Sequence, residues 1–130
     1  MCIRDRINLD PKFAYPHNGL GIVYKAQGEY ELAIASYQQA INIEPQKAYY
    51  HNKLGDVYQA KVEYELAISS YQQAITLEPK KALYHNNLAE AYFLQGQYEL
   101  ALTNTEQAIN LDPEDSYLSL IHISEPTRPY

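Results

Sequence analysis

The sequence predicts an all-α protein, an α-solenoid of antiparallel helix–turn–helix repeats. Three observations carry that prediction. Pro11, Pro45, Pro79 and Pro113 recur at intervals of 34 residues. The text between them repeats as well: YELAIASYQQAINIEP at 30–45 returns as YELAISSYQQAITLEP at 64–79, and units 14–47 and 48–81 share 24 of 34 residues. Within each half unit the apolar residues fall at helical spacing rather than strand spacing. A fixed period of this length marks stacked supersecondary units, each too small to hide its apolar face alone.

Each unit reads as two helices. In the first, helix A is expected at about 14–27 and helix B at about 30–43, from the apolar periodicity and the turn residues between them. Helix A sets His17, Leu20, Gly21 and Tyr24 on one side. Helix B sets Ala33, Tyr37, Ala40 and Ile41 at i, i+4, i+7 and i+8, one apolar stripe. Small residues in the Gly21 and Ala33 columns allow the two backbones to approach, and the Tyr24 and Tyr37 columns fill the space beside them. Gly28 and Gly96 stand where helix A must end in a left-handed residue. Val62 occupies that place in the second unit, so its turn either differs or carries strain. The proline column stops helix B, because proline lacks the amide and restricts the residue before it.

The complete units are 14–47, 48–81 and 82–115, and INLDP at 7–11 matches INIEP at 41–45, so 7–13 reads as the end of a preceding repeat. The termini depart from this pattern. Back-translated, Met1–Arg6 and Leu118–Ile123 give ATGTGTATAAGAGACAG and CTGTCTCTTATACACAT, which are reverse complements and resemble a transposase end sequence used in sequencing adapters. Residues 1–6 are therefore expected to be an adapter-like scar, and 116–130 the start of a truncated repeat followed by another. The parent protein is expected to be longer at both ends.

Composition excludes several function classes. The 130 residues are 46% hydrophobic and 20% charged, enough apolar content for a packed core. The net charge of -6 argues against a nucleic-acid backbone as partner, which wants a basic face. A single Cys allows no internal disulfide. No run of apolar residues is long enough to insert into a membrane. Such a chain is expected to be soluble and cytoplasmic. No phosphate-binding glycine loop, metalloprotease helix, CxxC pair or nucleophile elbow is found, so no catalytic residues, no cofactor and no metal are expected. His17, His51 and His85 fall one per unit, too far apart at helix-packing spacing to share one metal, and are read as packing residues.

The pattern L-G-x-x-Y, then A-x-x-x-Y-x-x-A and a closing proline, resembles the tetratricopeptide repeat (TPR) family over 7–115. The resemblance implies a right-handed superhelix whose A helices line a concave groove. It places Tyr15, Asn18, Gly19, Ile22, Lys25 and Ala26 of the first unit on that groove. From the second it places Tyr49, Asn52, Lys53, Asp56, Gln59 and Ala60, and from the third Leu83, Asn86, Asn87, Glu90, Phe93 and Leu94. Asn18, Asn52 and Asn86 are expected to form an asparagine ladder, either pairing with the backbone of an extended peptide or simply facing solvent. The family's carboxylate clamp for acidic C-terminal peptides is absent: its columns hold Asn18, Ile22, Lys53, Leu83 and Asn87.

The expected function is a non-catalytic scaffold that binds a peptide or helix of a partner protein. Two alternatives stand beside it. One is the substrate-recognition arm of a larger enzyme, such as a glycosyltransferase or kinase. The other is a self-associating structural array, whose last B helix is expected to expose Ala108, Ile109 and Leu111.

Overall fold

The computed structural model describes residues 14–112. Among them six α-helices follow one another: α1 (Ala14–Ala26), α2 (Tyr30–Ile43), α3 (Ala48–Ala60), α4 (Tyr64–Leu77), α5 (Ala82–Gln95) and α6 (Tyr98–Leu111). Odd-numbered helices are the A helices and even-numbered ones the B helices. Each pairs with its partner in the unit and then packs on the next unit in order. The result is an all-α TPR-type solenoid.

The turns within the units follow one rule. Gly28, Val62 and Gly96 all take positive φ, at 78°, 66° and 90°. The second turn therefore does not differ from the others. It adopts the same left-handed geometry and places a β-branched residue in it, where the Cβ crowds the backbone. Each B helix begins with a glutamate in its first turn, Glu31, Glu65 or Glu99, which suits the positive end of the helix dipole. Each B helix also ends the same way. Glu44, Glu78 and Asp112 leave the helical region, at φ -131°, -137° and -148°, and their amides still bond Ala40, Ala74 and Ala108. The proline that follows each of them enforces this extended exit.

Packing within a unit rests on a glycine beneath a tyrosine. A Cβ built on Gly21 would lie 2.6 Å from the Tyr37 ring, and one on Gly55 2.7 Å from the Tyr71 ring. Both rings are buried. The third unit solves the same contact differently, with Ala89 and Thr105 in the corresponding columns, both buried. Where the A helix gains a methyl group, the B helix gives up its ring.

Packing between units closes the core. Ala33, Ile34 and Tyr37 of α2 meet Leu54 and Val57 of α3, flanked by Tyr24, Tyr30, Ile41 and Tyr58. Ala67 and Tyr71 of α4 meet Leu88 and Ala91 of α5, flanked by Tyr58, Ile68, Ile75 and Tyr92. Burying such stripes contributes about 25 cal/mol per Å² of apolar surface, which a single hairpin cannot realise.

The loops between units are tied down by the helix that follows. Tyr50 donates its hydroxyl hydrogen to Glu44 at 3.2 Å, and Tyr84 bonds Glu78 in the same way one unit on. Burial and these carboxylates push both phenols up to about 12. His85 Nε2 donates to the carbonyl of Pro79 at 2.9 Å, and His51 bonds the carbonyl of Pro45. The histidine column is thus a latch on the proline loop. Burial also holds the His51 imidazole below its ordinary value, the carbonyl bond opposing.

Candidate functional site

The A helices form one layer of the solenoid. Asn87 of α5 donates to Asn52 Oδ1 of α3 at 2.8 Å, a bond between A helices of neighbouring units. Along this layer Ile22, Tyr49, Leu83, Phe93 and Leu94 are exposed, together with Glu90, Ala26 and Ala60. Lys25, Lys53, Asp56, Gln59 and Asn87 are half-buried among them, as is Gly19. Tyr15 belongs to α1, but its side chain lies outside the described residues.

The asparagine column is where the structure corrects the sequence reading. Asn18, Asn52 and Asn86 neither face solvent nor form an open ladder. All three are buried, Asn52 to 2% exposure. The reason is visible at Asn52, whose Oδ1 is engaged by the next unit. The corresponding donor for Asn18 would come from the Lys53 position. Lys53 instead places its ammonium 5.4 Å from the centre of the Tyr49 ring, and Asn18 Oδ1 is closed off from solvent without a protein donor.

The centre of the layer holds one buried ionisable cluster. Tyr71 donates to Asp56 Oδ1 at 2.6 Å. Burial raises the Asp56 carboxyl above its usual range, while the Tyr71 bond and the charges of Lys53 and Lys25 oppose that rise. Burial likewise drives the Tyr71 phenol far above its ordinary value, with the Asp56 charge adding to it. Tyr37 is raised too, by burial first and then by Tyr49 and Asp56. The carboxylate is thus bonded by Tyr71 and feels the charges of Lys53 and Lys25. Toward the third unit the layer becomes apolar and acidic. Phe93 meets Tyr98 with ring centroids 5.4 Å apart, and Glu90 is exposed, its charge adding to the rise of the Tyr71 phenol.

The Tyr71–Asp56 bond was not foreseen from sequence, although Asp56 was placed on the groove. The available signal was that the Ile22, Asp56 and Glu90 column becomes ionisable just where a tyrosine column passes beneath it. His51 and His85 are each held by their own loop carbonyl, and among the described residues no group of three or more His, Cys, Asp or Glu side chains converges on one point.

Paired helices stacked in a row, with a polar and apolar outer layer on one set, define an α-solenoid of the kind that serves protein interaction. The chain belongs to the tetratricopeptide repeat family: a TPR repeat model matches residues 23–62 and 63–96, and a tetratricopeptide repeat model matches 82–115. No curated protein matches the chain. Among solved structures, one of the MamA protein aligns with a TM-score of 0.79 at 24% identity, covering 88% of this chain and 63% of its own. Another MamA structure gives 0.80 at 24% identity, covering 97% and 76%. The first TPR of Spaghetti (RPAP3), bound to HSP90 peptide SRMEEVD, gives 0.78 at 22% identity, covering 90% and 94%. At such identities these likenesses show the fold alone. The chain spans 63% of the first MamA structure. TPR repeats are generally interaction modules. Among the described residues no helix is long and apolar enough to cross a membrane.

Proposed function

We propose that the A-helix layer binds an extended peptide or a helix of a partner protein. One observation carries the reading. Ile22, Tyr49, Leu83 and Phe93 are apolar and exposed on the A helices of three successive units, while the opposite faces of α3 and α5 are closed in the core. Apolar anchors spaced along a wall, with a few charged groups between them, suit a segment that inserts alternate side chains and orients itself by charge.

The charges give the segment a direction. Lys25 and Lys53 lie toward the first unit and Glu90 toward the third, so an acidic residue is expected at the first-unit end. The acidic tail bound by the RPAP3 repeat is not the expected ligand. Ile22 and Leu83 present hydrocarbon at columns where, by resemblance to the family, a carboxylate clamp has polar or basic groups.

The test is a peptide-display selection on the immobilised full chain. Peptides so isolated should lose about tenfold or more in affinity for a Tyr49→Ala, Phe93→Ala double variant, roughly the effect of removing one aromatic anchor. They should bind a Gln39→Ala, Gln73→Ala variant, altered on the exposed B-helix side, as well as the parent. Equal binding to all three proteins would remove the groove from consideration.

A further inference from the structure

We propose that the segment bound along the A helices carries a basic side chain, seated between Asp56 of α3 and Glu90 of α5. This rests on the groove reading above and adds to it the chemistry of one ligand residue. The register of the two helices is fixed by the bond from Asn87 to Asn52 at 2.8 Å. Asn52, Asp56 and Gln59 stand at i, i+4 and i+7 of α3, so the line that meets α5 at Asn52 continues through the other two. On α5, Glu90 follows Asn87 at i+3, on the face toward α3. One turn beyond the bonded amides, a carboxylate therefore flanks the seam on each side. Tyr71 marks the same place: its hydroxyl donates to Asp56 at 2.6 Å, and the Glu90 charge acts on that phenol as well.

Acceptors crowd this seam and donors are missing from it. The Tyr71 hydroxyl has a single hydrogen, and Asp56 takes it. Among the described residues neither Asp56 nor Glu90 makes an ion pair. Lys53 keeps its ammonium beside the Tyr49 ring, 5.4 Å from its centre. The columns of Lys53 and Lys25 hold Asn87 and Phe93 in the third unit, so no lysine follows onto α5. Gln59 Oε1, further along the same line, is closed off from solvent and has no donor either. Such a group calls for a partner that the chain itself does not supply. Stacking does not require the arrangement. The seam between α1 and α3 has Ile22 in the column of Asp56 and Glu90, so hydrocarbon meets one carboxylate there. Only at the second seam does carboxylate face carboxylate. A guanidinium brings a planar fork of donors that suits two carboxylates and an amide oxygen better than an ammonium does. Its charge would also offset the desolvation of Asp56.

The test uses peptides selected by display on the immobilised full chain. They should carry arginine, or lysine in its stead, at one fixed place among their apolar residues. Changing that residue to alanine should cost about tenfold or more in affinity for the parent chain. The same change should cost less than about twofold against an Asp56→Asn, Glu90→Gln double variant, whose partner charges are already gone. Asp56→Asn alone should bind the peptides more weakly and yet unfold at a higher urea concentration at neutral pH. A merely structural role for Asp56 does not give those opposite movements. Circular dichroism checks that each variant folds, and Glu90→Gln alone, at an exposed position, replaces the double variant if that one loses structure. Peptides with no enriched basic residue, additive losses in peptide and chain, or a double variant that binds like the parent would each overturn the inference. The groove reading outlives these results so long as the Tyr49→Ala, Phe93→Ala variant still loses the peptides. If that variant also binds like the parent, both readings fall together.

Discussion

Placing a methyl group on Gly55 tests the packing argument at its tightest point. The new Cβ of Gly55→Ala would sit 2.7 Å from Tyr71 Cε1, 2.8 Å from Cδ1 and 3.0 Å from Cζ. The ring cannot slide away cheaply. Tyr71 is buried, and its hydroxyl is held by Asp56 at 2.6 Å. Overpacking of this kind costs about 1–3 kcal/mol. Alanine in place of glycine inside a helix returns about 1 kcal/mol. The single variant should thus lose up to about 2 kcal/mol, the steric term exceeding the propensity term. Tyr71→Thr alone should lose about 3 kcal/mol or more, the usual scale for deleting a buried ring. The third unit shows that alanine and threonine coexist in these columns, at Ala89 and Thr105. The double variant should therefore be about 1–3 kcal/mol more stable than the sum of the singles allows, because threonine removes the clash. Urea unfolding of the four proteins, followed by circular dichroism, measures that coupling. Additivity within about 0.5 kcal/mol would refute the reasoning. So would a Gly55→Ala variant more stable than the parent chain.

Two further outcomes follow from the same structure. Val62→Gly should stabilise the chain by up to about 1 kcal/mol, since relief of a left-handed β-branched residue outweighs the added freedom of the unfolded chain; Val62 is exposed, so no burial is lost, and a lower urea midpoint would contradict this. Asp56→Asn should raise stability more at neutral pH than in acid. The Asp56 carboxyl is raised in the fold, so its contribution is fully present below the unfolded value near 3.9 and is lost as pH rises through the folded value. The gap between the two urea midpoints should accordingly narrow as pH falls from about 7 to about 4, and a gap that widens on acidification would count against a desolvated carboxylate.

The period and the helix pairing were legible because they are local or repeated, whereas the seating of the Tyr37 and Tyr71 rings directly over Gly21 and Gly55 was not. Spacing within a helix fixes which residues share a face, and three repetitions of the spacing make the face unmistakable. Val62 stood out for the same reason: one column broke its own rule. The asparagine column was misread because polarity alone suggests solvent. Whether Asn52 is buried depends on Asn87, a residue 35 positions on that reaches across to a neighbouring helix, and no periodicity within a helix reports such a bond. The His51 and His85 latches were similarly hidden, since they depend on loop carbonyls rather than on side-chain types. The expectation for the last B helix also needs correction. Ala108 is as buried as Ala40 and Ala74, while Leu111 is exposed and Ile109 half-buried. Among the large apolar residues of that helix Tyr98 and Leu102 are the most exposed, and the sequence reading did not expect that.

Comparing the units with one another separates what the fold requires from what the surface is free to vary. Two columns kept in all three units, Ala33, Ala67 and Ala101 and Ala40, Ala74 and Ala108, are buried throughout, while the equally constant Leu32, Leu66 and Leu100 are exposed. The columns that change most lie in the A-helix layer: Gly19, Lys53 and Asn87; Ile22, Asp56 and Glu90; Lys25, Gln59 and Phe93. A scaffold selected only to stack would have no physical need to diversify these positions while holding the others still. Asp56 stands in a variable column but is tied to the core. Its carboxylate faces the variable layer, yet it is bonded from behind by Tyr71 of the core. A ligand that compensates that charge with a cationic group would also relieve its desolvation cost, and binding would then be felt directly in the stability of the second unit.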